Sequence, residues 1–215
     1  MEASSDIAGF RYADGALNQS HGYLLPALVR ILAAENARRP LGGVFDLGCG
    51  NGAVAAALAA RGYAVTGVDP SVEGIAAARR FYPDLRLEPG SAYDDLGAKF
   101  GRFDAVVSLE VVEHVYNPRK YAATLFDLVA ADGIAVVSTP YHGYWKNLAL
   151  AATGTFDRHF TALWDHGHIK FWSVRTLRAL LAEAGFGAIE FHRVGRVPAL
   201  AKSMIAVARK PAVPS

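Results

Sequence analysis

Val44-Phe45-Asp46-Leu47-Gly48-Cys49-Gly50-Asn51-Gly52 decides the fold, together with Val65-Thr66-Gly67-Val68-Asp69, whose carboxylate stands seventeen residues after Gly52. The first stretch is apolar until Asp46 and then turns on three glycines, which let a backbone approach a ligand with no Cβ in the way. Ala53 to Ala60 supplies a helix whose first N–H groups face that turn. Asp69 ends the neighbouring strand, where a carboxylate can accept both hydroxyl hydrogens of a ribose. Strand, glycine turn, helix and acid-tipped strand describe a cradle for a nucleoside.

Two ligand classes use such a cradle. A dinucleotide places its pyrophosphate at the helix N-terminus, and Gly48-Cys49-Gly50-Asn51-Gly52-Ala53 fits the loose G-x-G-x-x-G/A pattern. Asp46 argues against it, because a carboxylate beside a pyrophosphate repels it, whereas it can help hold a ligand bearing an amino group and a sulfonium. The cofactor implied is cationic at its reactive end.

Phe45-Asp46-Leu47-Gly48-Cys49-Gly50-Asn51-Gly52 resembles the first motif of the class I S-adenosylmethionine-dependent methyltransferases, and Gly67-Val68-Asp69-Pro70-Ser71 resembles their second. Gly90-Ser91-Ala92-Tyr93 stands where that family places the loop that holds adenine. Phe103-Asp104-Ala105-Val106-Val107-Ser108-Leu109-Glu110-Val111-Val112-Glu113-His114-Val115 resembles the fourth strand and following loop of the ubiquinone-biosynthesis O-methyltransferase branch. The likeness covers residues 42 to 140. It implies an α/β fold with a doubly wound, Rossmann-like sheet of seven strands and an antiparallel edge hairpin. The implied cofactor is S-adenosylmethionine, and the implied reaction is methyl transfer to a small-molecule acceptor.

Length and composition fit such an enzyme. The 215 residues suit one α/β domain, with a helical cap over residues 1 to 40 and a substrate lid over 141 to 172. A formal charge of +2, with no Lys/Arg block interleaved with aromatics, speaks against nucleic acid as substrate or partner. The lone Cys49 has no internal disulfide partner, and no basic segment leads into an apolar h-region, which predicts a cytoplasmic protein.

Along the chain, helical spacing covers Tyr23 to Asn36, Val72 to Phe81, Pro118 to Ala130 and Ser173 to Ala184. Strands are expected near Gly43 to Leu47, Ala64 to Val68, Leu85 to Glu88, Phe103 to Leu109 and Ile134 to Ser138. Their continuous apolar runs suit a parallel sheet buried on both faces. Asp132-Gly133 is read as the turn between the helix and the fifth strand. Gly185-Phe186-Gly187 opens a sixth strand and Met204 to Ala208 returns as a seventh, giving the antiparallel edge that a dehydrogenase sheet usually lacks.

Ligands of such sheets sit at the carboxyl ends of the strands. Asp46, Gly48, Gly50 and Gly52 are therefore assigned to the methionine part, Asp69 to the ribose, Ser91 and Ala92 to the adenine and Leu109 to the sulfonium, with Cys49, Pro70 and Glu110 completing the lining. The plainer readings are an ordinary strand-to-helix turn for the glycines and a helix N-cap for Asp69, since Asp-Pro-Ser also opens a helix. The resemblance has Tyr12 and His21 close over the cofactor, while the sequence alone allows surface packing equally.

In the ubiquinone O-methyltransferase branch the matching Glu, Glu and His are associated with a divalent metal, so the resemblance extends that role to Glu110, Glu113 and His114. Mg²⁺ or Zn²⁺ on a catechol oxygen would ease its deprotonation. The plainer reading of this cluster is loop structure or a helix cap.

All three tryptophans, Trp145, Trp164 and Trp172, fall between residues 141 and 172, with His142, His159, His166 and His168. Such rings suit a flat aromatic or lipid-like acceptor, and a histidine can serve as general base for its hydroxyl. The candidates are His142, His168 and His114. A satellite core is the plainer reading of any one aromatic, and Asp165-His166-x-His168 lacks the spaced partners of a metal site. Trp145 to Ala152 is too short to span a bilayer; peripheral membrane contact is weighed against, and ranked below, a helix packed on the domain. The expected reaction is in-line transfer of a sulfonium methyl to oxygen. A nucleotide-dependent oxidoreductase and a non-catalytic cofactor-binding relative are the alternatives.

Overall fold

The structure, a computed structural model, describes residues 14–160, 162–164 and 167–212. In chain order the elements are α1 (His21–Arg38), β1 (Val44–Leu47), α2 (Ala53–Ala59), β2 (Val65–Asp69), α3 (Val72–Phe81), β3 (Arg86–Pro89), α4 (Leu96–Phe100) and β4 (Phe103–Leu109). They continue with α5 (Pro118–Leu128), β5 (Val129–Pro140), α6 (Tyr144–Ala152), α7 (Asp157–Phe160), α8 (Val174–Glu183), β6 (Gly187–Val194), a 3-10 turn at Pro198–Leu200 and β7 (Ser203–Arg209). The strands form one sheet in the order β3-β2-β1-β4-β5-β7-β6. The first five are parallel and β7 runs antiparallel to both β5 and β6, which is the expected edge hairpin.

Burial on both faces is why the central strands are apolar throughout. Alternate residues serve two cores: Phe45, Leu47, Val106, Ala135 and Val137 point to one, and Val44, Ala105, Val107, Ile134 and Val136 to the other. Helix α5 seals the first with Tyr121, Leu125 and Leu128, and α8 adds Leu177 and Leu181. Helix α1 seals the second with Leu24, Leu28 and Leu32, a four-residue spacing that keeps all three on one face, each with no exposed surface. Truncating one of these leucines to Ala should cost about 2–5 kcal/mol.

Because β1 lies between β2 and β4, the chain leaves it in one direction and later returns to its other edge. This reversal opens a crevice at the carboxyl ends of β1 and β4, where ligands of doubly wound sheets bind. Two glycines shape the crevice floor. Gly52 caps α2 with φ +79, and a Cβ on Gly67 would lie 2.9 Å from the Asp46 carbonyl oxygen, so β1 and β2 approach there as only glycine allows.

The structure corrects the reading of Asp132-Gly133. Helix α5 stops at Leu128, and Val129 already pairs with Phe103; the ladder resumes with Ile134 opposite Ala105, so the intervening residues bulge from the strand with Asp132 at φ +59. The bulge is anchored by mutual backbone bonds between Asp132 N and Lys210 O and between Lys210 N and Gly133 O. No described helix is long and apolar enough to cross a membrane. Helix α6 shows Tyr144, Trp145 and Leu148 to solvent and turns Lys146 inward.

Candidate active site

The cradle is tied together at its base by backbone bonds. Gly48 N and Cys49 N both donate to Val68 O, at 2.9 and 3.0 Å, which folds the glycine turn onto the end of β2. Asp69 then clamps the two loops: its Oδ2 accepts from Gly50 N and its Oδ1 from Ser71 N, each at 2.8 Å. The cap of α3 is Ser71, whose Oγ accepts from Gly74 N, so Asp69 orients the cap instead of being it. Pro70, Ser91, Ala92 and Leu109 line the cavity above, together with Gly48, Cys49 and Gly50, whereas Gly52 lies behind them at the start of α2 and is not part of the lining.

The segment before α1 is strapped across this cavity. Asn51 Nδ2 donates to the carbonyls of Asp14 and Ala16 at 2.9 and 3.0 Å, and the Tyr82 hydroxyl donates to Gly15 O at 2.6 Å. Asn18 caps α1 through Oδ1, which accepts from Ser20 N and His21 N, and His21 Nδ1 accepts from Asn18 N at 3.1 Å. His21 borders the cavity, with burial holding its imidazole below the usual pKa. Tyr12 lies outside the described residues. The role of Asn51 was not legible from the sequence, where it reads as turn filler between two glycines.

The cavity encloses about 970 Å³. Asp14, Asp46, Asp69 and Glu110 border it, and none of its described lining residues is Lys or Arg. Asp46 is 2% exposed, and its Oδ2 has no hydrogen-bond partner among the described residues. Burial, then the nearby Asp69 charge, pushes its carboxyl up to about 7. Burial, followed by the Asp46 and Asp69 charges, likewise raises the Cys49 thiol well above its usual range.

Just past the end of β4 the chain makes a sharp reversal. Glu110 adopts φ +55, its N donates to Ser138, and its carboxylate accepts from Ser138 Oγ at 2.8 Å and Ser203 Oγ at 3.3 Å. Burial raises this carboxyl to about 7 in spite of the two hydroxyls. Held this way, Glu110 stands apart from the tightest group of metal-capable atoms. That group is Glu113, His114 and His168, whose ligand atoms all lie within 4.8 Å of one another. Of the set implied by the resemblance, Glu113 and His114 thus lie together with His168 among the described residues, and Glu110 is not in that group.

Glu113 is 1% exposed, neither of its carboxylate oxygens has a hydrogen-bond partner among the described residues, and burial followed by Glu110 raises it well above the usual carboxylate range. A buried carboxylate in this state is either protonated or facing a cation. His168 Nε2 lies 3.9 Å from Glu113 Oε1, and His114 Nδ1 is 3.1 Å from the Gly167 carbonyl, the kind of contact that orients a metal-binding imidazole. Two imidazoles and a carboxylate suit zinc better than magnesium. The donor set fits a divalent cation.

The described residues of segment 141–172 fall into two parts. His168 and Trp164 border both the first cavity and a second one of about 590 Å³, which lies between α6, the 3-10 turn and the start of β7. His142 points elsewhere: its ring packs at 5.1–5.7 Å from Phe171, His159 and Phe160, it lines neither cavity, and burial lowers its pKa to about 4. Among the three histidines assigned from sequence, His114 and His168 face the site, whereas His142 belongs to the satellite core. Asp165 and His166 lie outside the described residues. Trp172 anchors the end of this segment, its Nε1 donating to Val112 O at 3.1 Å.

A family model described as a methyltransferase domain matches residues 18–190. A ubiquinone biosynthesis O-methyltransferase of Caulobacter sp. strain K31 is 34% identical over 166 residues, covering 73% of this chain and 64% of its own length. One from Azorhizobium caulinodans is 32% identical over 176 residues, covering 77% of this chain and 68% of its own. The chain thus spans about two thirds or less of the length of several relatives it matches. Among solved structures, an O-methyltransferase family protein from Burkholderia thailandensis superposes with a TM-score of 0.68 at 16% identity, over 89% of this chain and 57% of that one, a likeness of fold. The chain belongs to the class I S-adenosylmethionine-dependent methyltransferases, in the branch of the ubiquinone-biosynthesis O-methyltransferases.

Proposed function

We infer that this protein transfers the sulfonium methyl of S-adenosylmethionine to a hydroxyl oxygen of a small aromatic, quinol-like or lipid-like acceptor. The observation that carries this reading is the charge of the first cavity: four carboxylates border it, and no ammonium or guanidinium does among the described residues. Such a lining attracts an amino group and a sulfonium and repels a pyrophosphate, which disfavours the oxidoreductase alternative. Relatives named for ubiquinone biosynthesis support oxygen as the acceptor atom.

Reaction needs little covalent help from the protein. A lone pair of the acceptor oxygen forms the new O–C bond, the S–C bond breaks with its electrons passing to sulfur, and the hydroxyl proton leaves to a base. Alignment and water exclusion supply much of the acceleration. His168 is assigned as the base, because it borders both cavities and burial with His114 nearby holds it neutral, at about 4. Glu113 Oε1 stands 3.9 Å from its Nε2. With a divalent cation present, Glu113, His114 and His168 would hold it, and it would acidify the acceptor hydroxyl in place of a base.

Titration calorimetry with S-adenosylmethionine and, separately, NADH tests the donor. Micromolar binding of the first alone, followed by methyl transfer to hydroxylated aromatic acceptors, is expected. Binding of NADH instead, or of neither, would overturn the reading.

A further inference from the structure

The two cavities carry opposite charge. Three basic side chains border the second, Lys146, Arg196 and Lys202, against one acid, Glu110, which it shares with the first cavity. We propose that the second cavity takes an acceptor bearing a carboxylate, seated on Lys146 and Arg196, with its hydroxyl directed past His168 and Trp164 to the methyl donor. The proposal rests on the methyltransferase reading above and names the acceptor class for that same site.

Lys146 is the reason. It is 9% exposed, it is the cationic member of the α6 face formed with Ala149, Leu150 and Thr153, and that face lines the cavity. Its Nζ has one weak contact, 3.4 Å to the Lys202 carbonyl, and no described carboxylate lies within 4.0 Å of it. A buried ammonium without a counter-ion is costly unless a ligand supplies one. Desolvation and the Arg196 charge press it down to about 8, so it remains mostly charged at neutral pH. Glu110 attracts it through space but forms no ion pair with it: that carboxylate is turned to Ser138 and Ser203 and is raised to about 7.

The remaining groups agree with a single negative charge. Lys202 directs its ammonium over the Tyr23 ring, 5.4 Å from the centroid, and Arg196 is exposed at the rim. One buried cation balances one carboxylate, whereas a phosphate dianion would need a second buried cation. Trp164 and Leu200 supply apolar walls for a ring. The passage between the cavities, at Glu110, Trp164 and His168, places the acceptor hydroxyl next to the proposed base.

Catechol and 3,4-dihydroxybenzoate differ only in the carboxylate and form the test pair. Their dissociation constants are measured on the full chain saturated with S-adenosylhomocysteine, alongside the affinity for S-adenosylmethionine. The wild type should bind the benzoate about ten- to a hundredfold more tightly, the equivalent of one charge-assisted hydrogen bond. Lys146→Met should erase that preference, Lys146→Arg should retain most of it, and Arg196→Gln should reduce it, all three with unchanged affinity for S-adenosylmethionine. Equal binding of the two probes, binding of neither, or a preference that survives Lys146→Met overturns the proposal. If Lys146→Met fails to fold, Arg196→Gln decides the question, because its side chain is exposed. Failure of the wild type to bind S-adenosylmethionine would instead defeat the methyltransferase reading, and the same titrations separate the two.

Discussion

Asp69 joins two loops: Oδ2 accepts the Gly50 amide and Oδ1 the Ser71 amide, both at 2.8 Å. The side chain is 5% exposed, so its loss leaves two amides short of a strong acceptor. Asp69→Ala is expected to destabilise the protein by on the order of 3 kcal/mol and to abolish binding of S-adenosylmethionine. Asp69→Asn should fold better, yet bind the cofactor at least about tenfold more weakly. Unchanged calorimetric affinity in Asp69→Asn would show that the clamp is structural only.

Asp46 supplies a pH dependence whose sign follows from its environment. Its carboxyl is at about 7 in the fold and near 3.9 in an unfolded chain. The free protein therefore gains relative stability from the protonated form at low pH and loses it as pH rises through about 7. A cationic cofactor prefers the ionised form, so affinity for S-adenosylmethionine should climb between pH 5.5 and 7.5, by up to about tenfold per unit below 7. Glu110 titrates in the same range, which makes Asp46→Asn the variant that isolates the effect. A pH profile as steep in that variant as in the wild type counts against this assignment.

Local periodicity and turn chemistry made much of the fold legible. The ranges Val72–Phe81 and Phe103–Leu109 match to the residue, because a Ser cap on one side and a continuous apolar run on the other leave little choice. The cofactor cradle was legible for the same reason, since its parts lie within one strand-turn-helix unit and the next strand. The acceptor side was not. Glu110 is turned from the cluster by its positive φ and by Ser138 and Ser203, 28 and 93 residues away, which no spacing encodes. His142 and His168 look alike in sequence, yet one packs among rings and the other borders both cavities. A signal for Lys146 did exist: Lys146, Ala149, Leu150 and Thr153 form one helical stripe inside an aromatic segment.

Metal titration separates the two candidate ligand sets. Zn²⁺ should raise the melting temperature of the wild type, and Glu113→Gln and His168→Ala should each remove most of that increase. Glu110→Gln should keep it, since Glu110 is held by serines away from the cluster. The opposite pattern, with Glu110 required and His168 dispensable, would restore the set implied by the family likeness.

Among the histidines, His168→Ala is expected to lower turnover by roughly 10²–10⁴-fold with cofactor affinity little changed. His142→Ala should act on stability instead, lowering the melting temperature while kcat stays within about threefold, because its ring fills space among Phe160, Phe171 and His159. Full activity in His168→Ala, measured without added metal, would remove this residue as the base.

Far from the site, Glu35 ties α1 to the end of β7 and, through Arg38, to β5. Arg209 grips both its oxygens, at 3.0 and 2.8 Å, and Arg38 adds a third contact at 2.6 Å while also reaching Asp132 in the β5 bulge. The Arg209 hydrogen bonds first, and Arg38 with them, outweigh burial and hold the Glu35 carboxyl down at about 2. Its pKa is depressed by folding, so the stabilisation is present above about 4.5 and is lost as pH falls toward 2. The arginines are partly exposed and screened, which limits the contribution to on the order of 2 kcal/mol. Urea denaturation should find Glu35→Gln less stable than the wild type by about that amount at pH 7, with the gap closing at pH 3 and below. Removing this anchor loosens α1, and with it the Asn18 and His21 strap over the cofactor, so the same variant should also bind S-adenosylmethionine a few-fold less tightly. A stability gap that stays constant from pH 7 to pH 3 would mean that packing, and not charge, holds α1 in place.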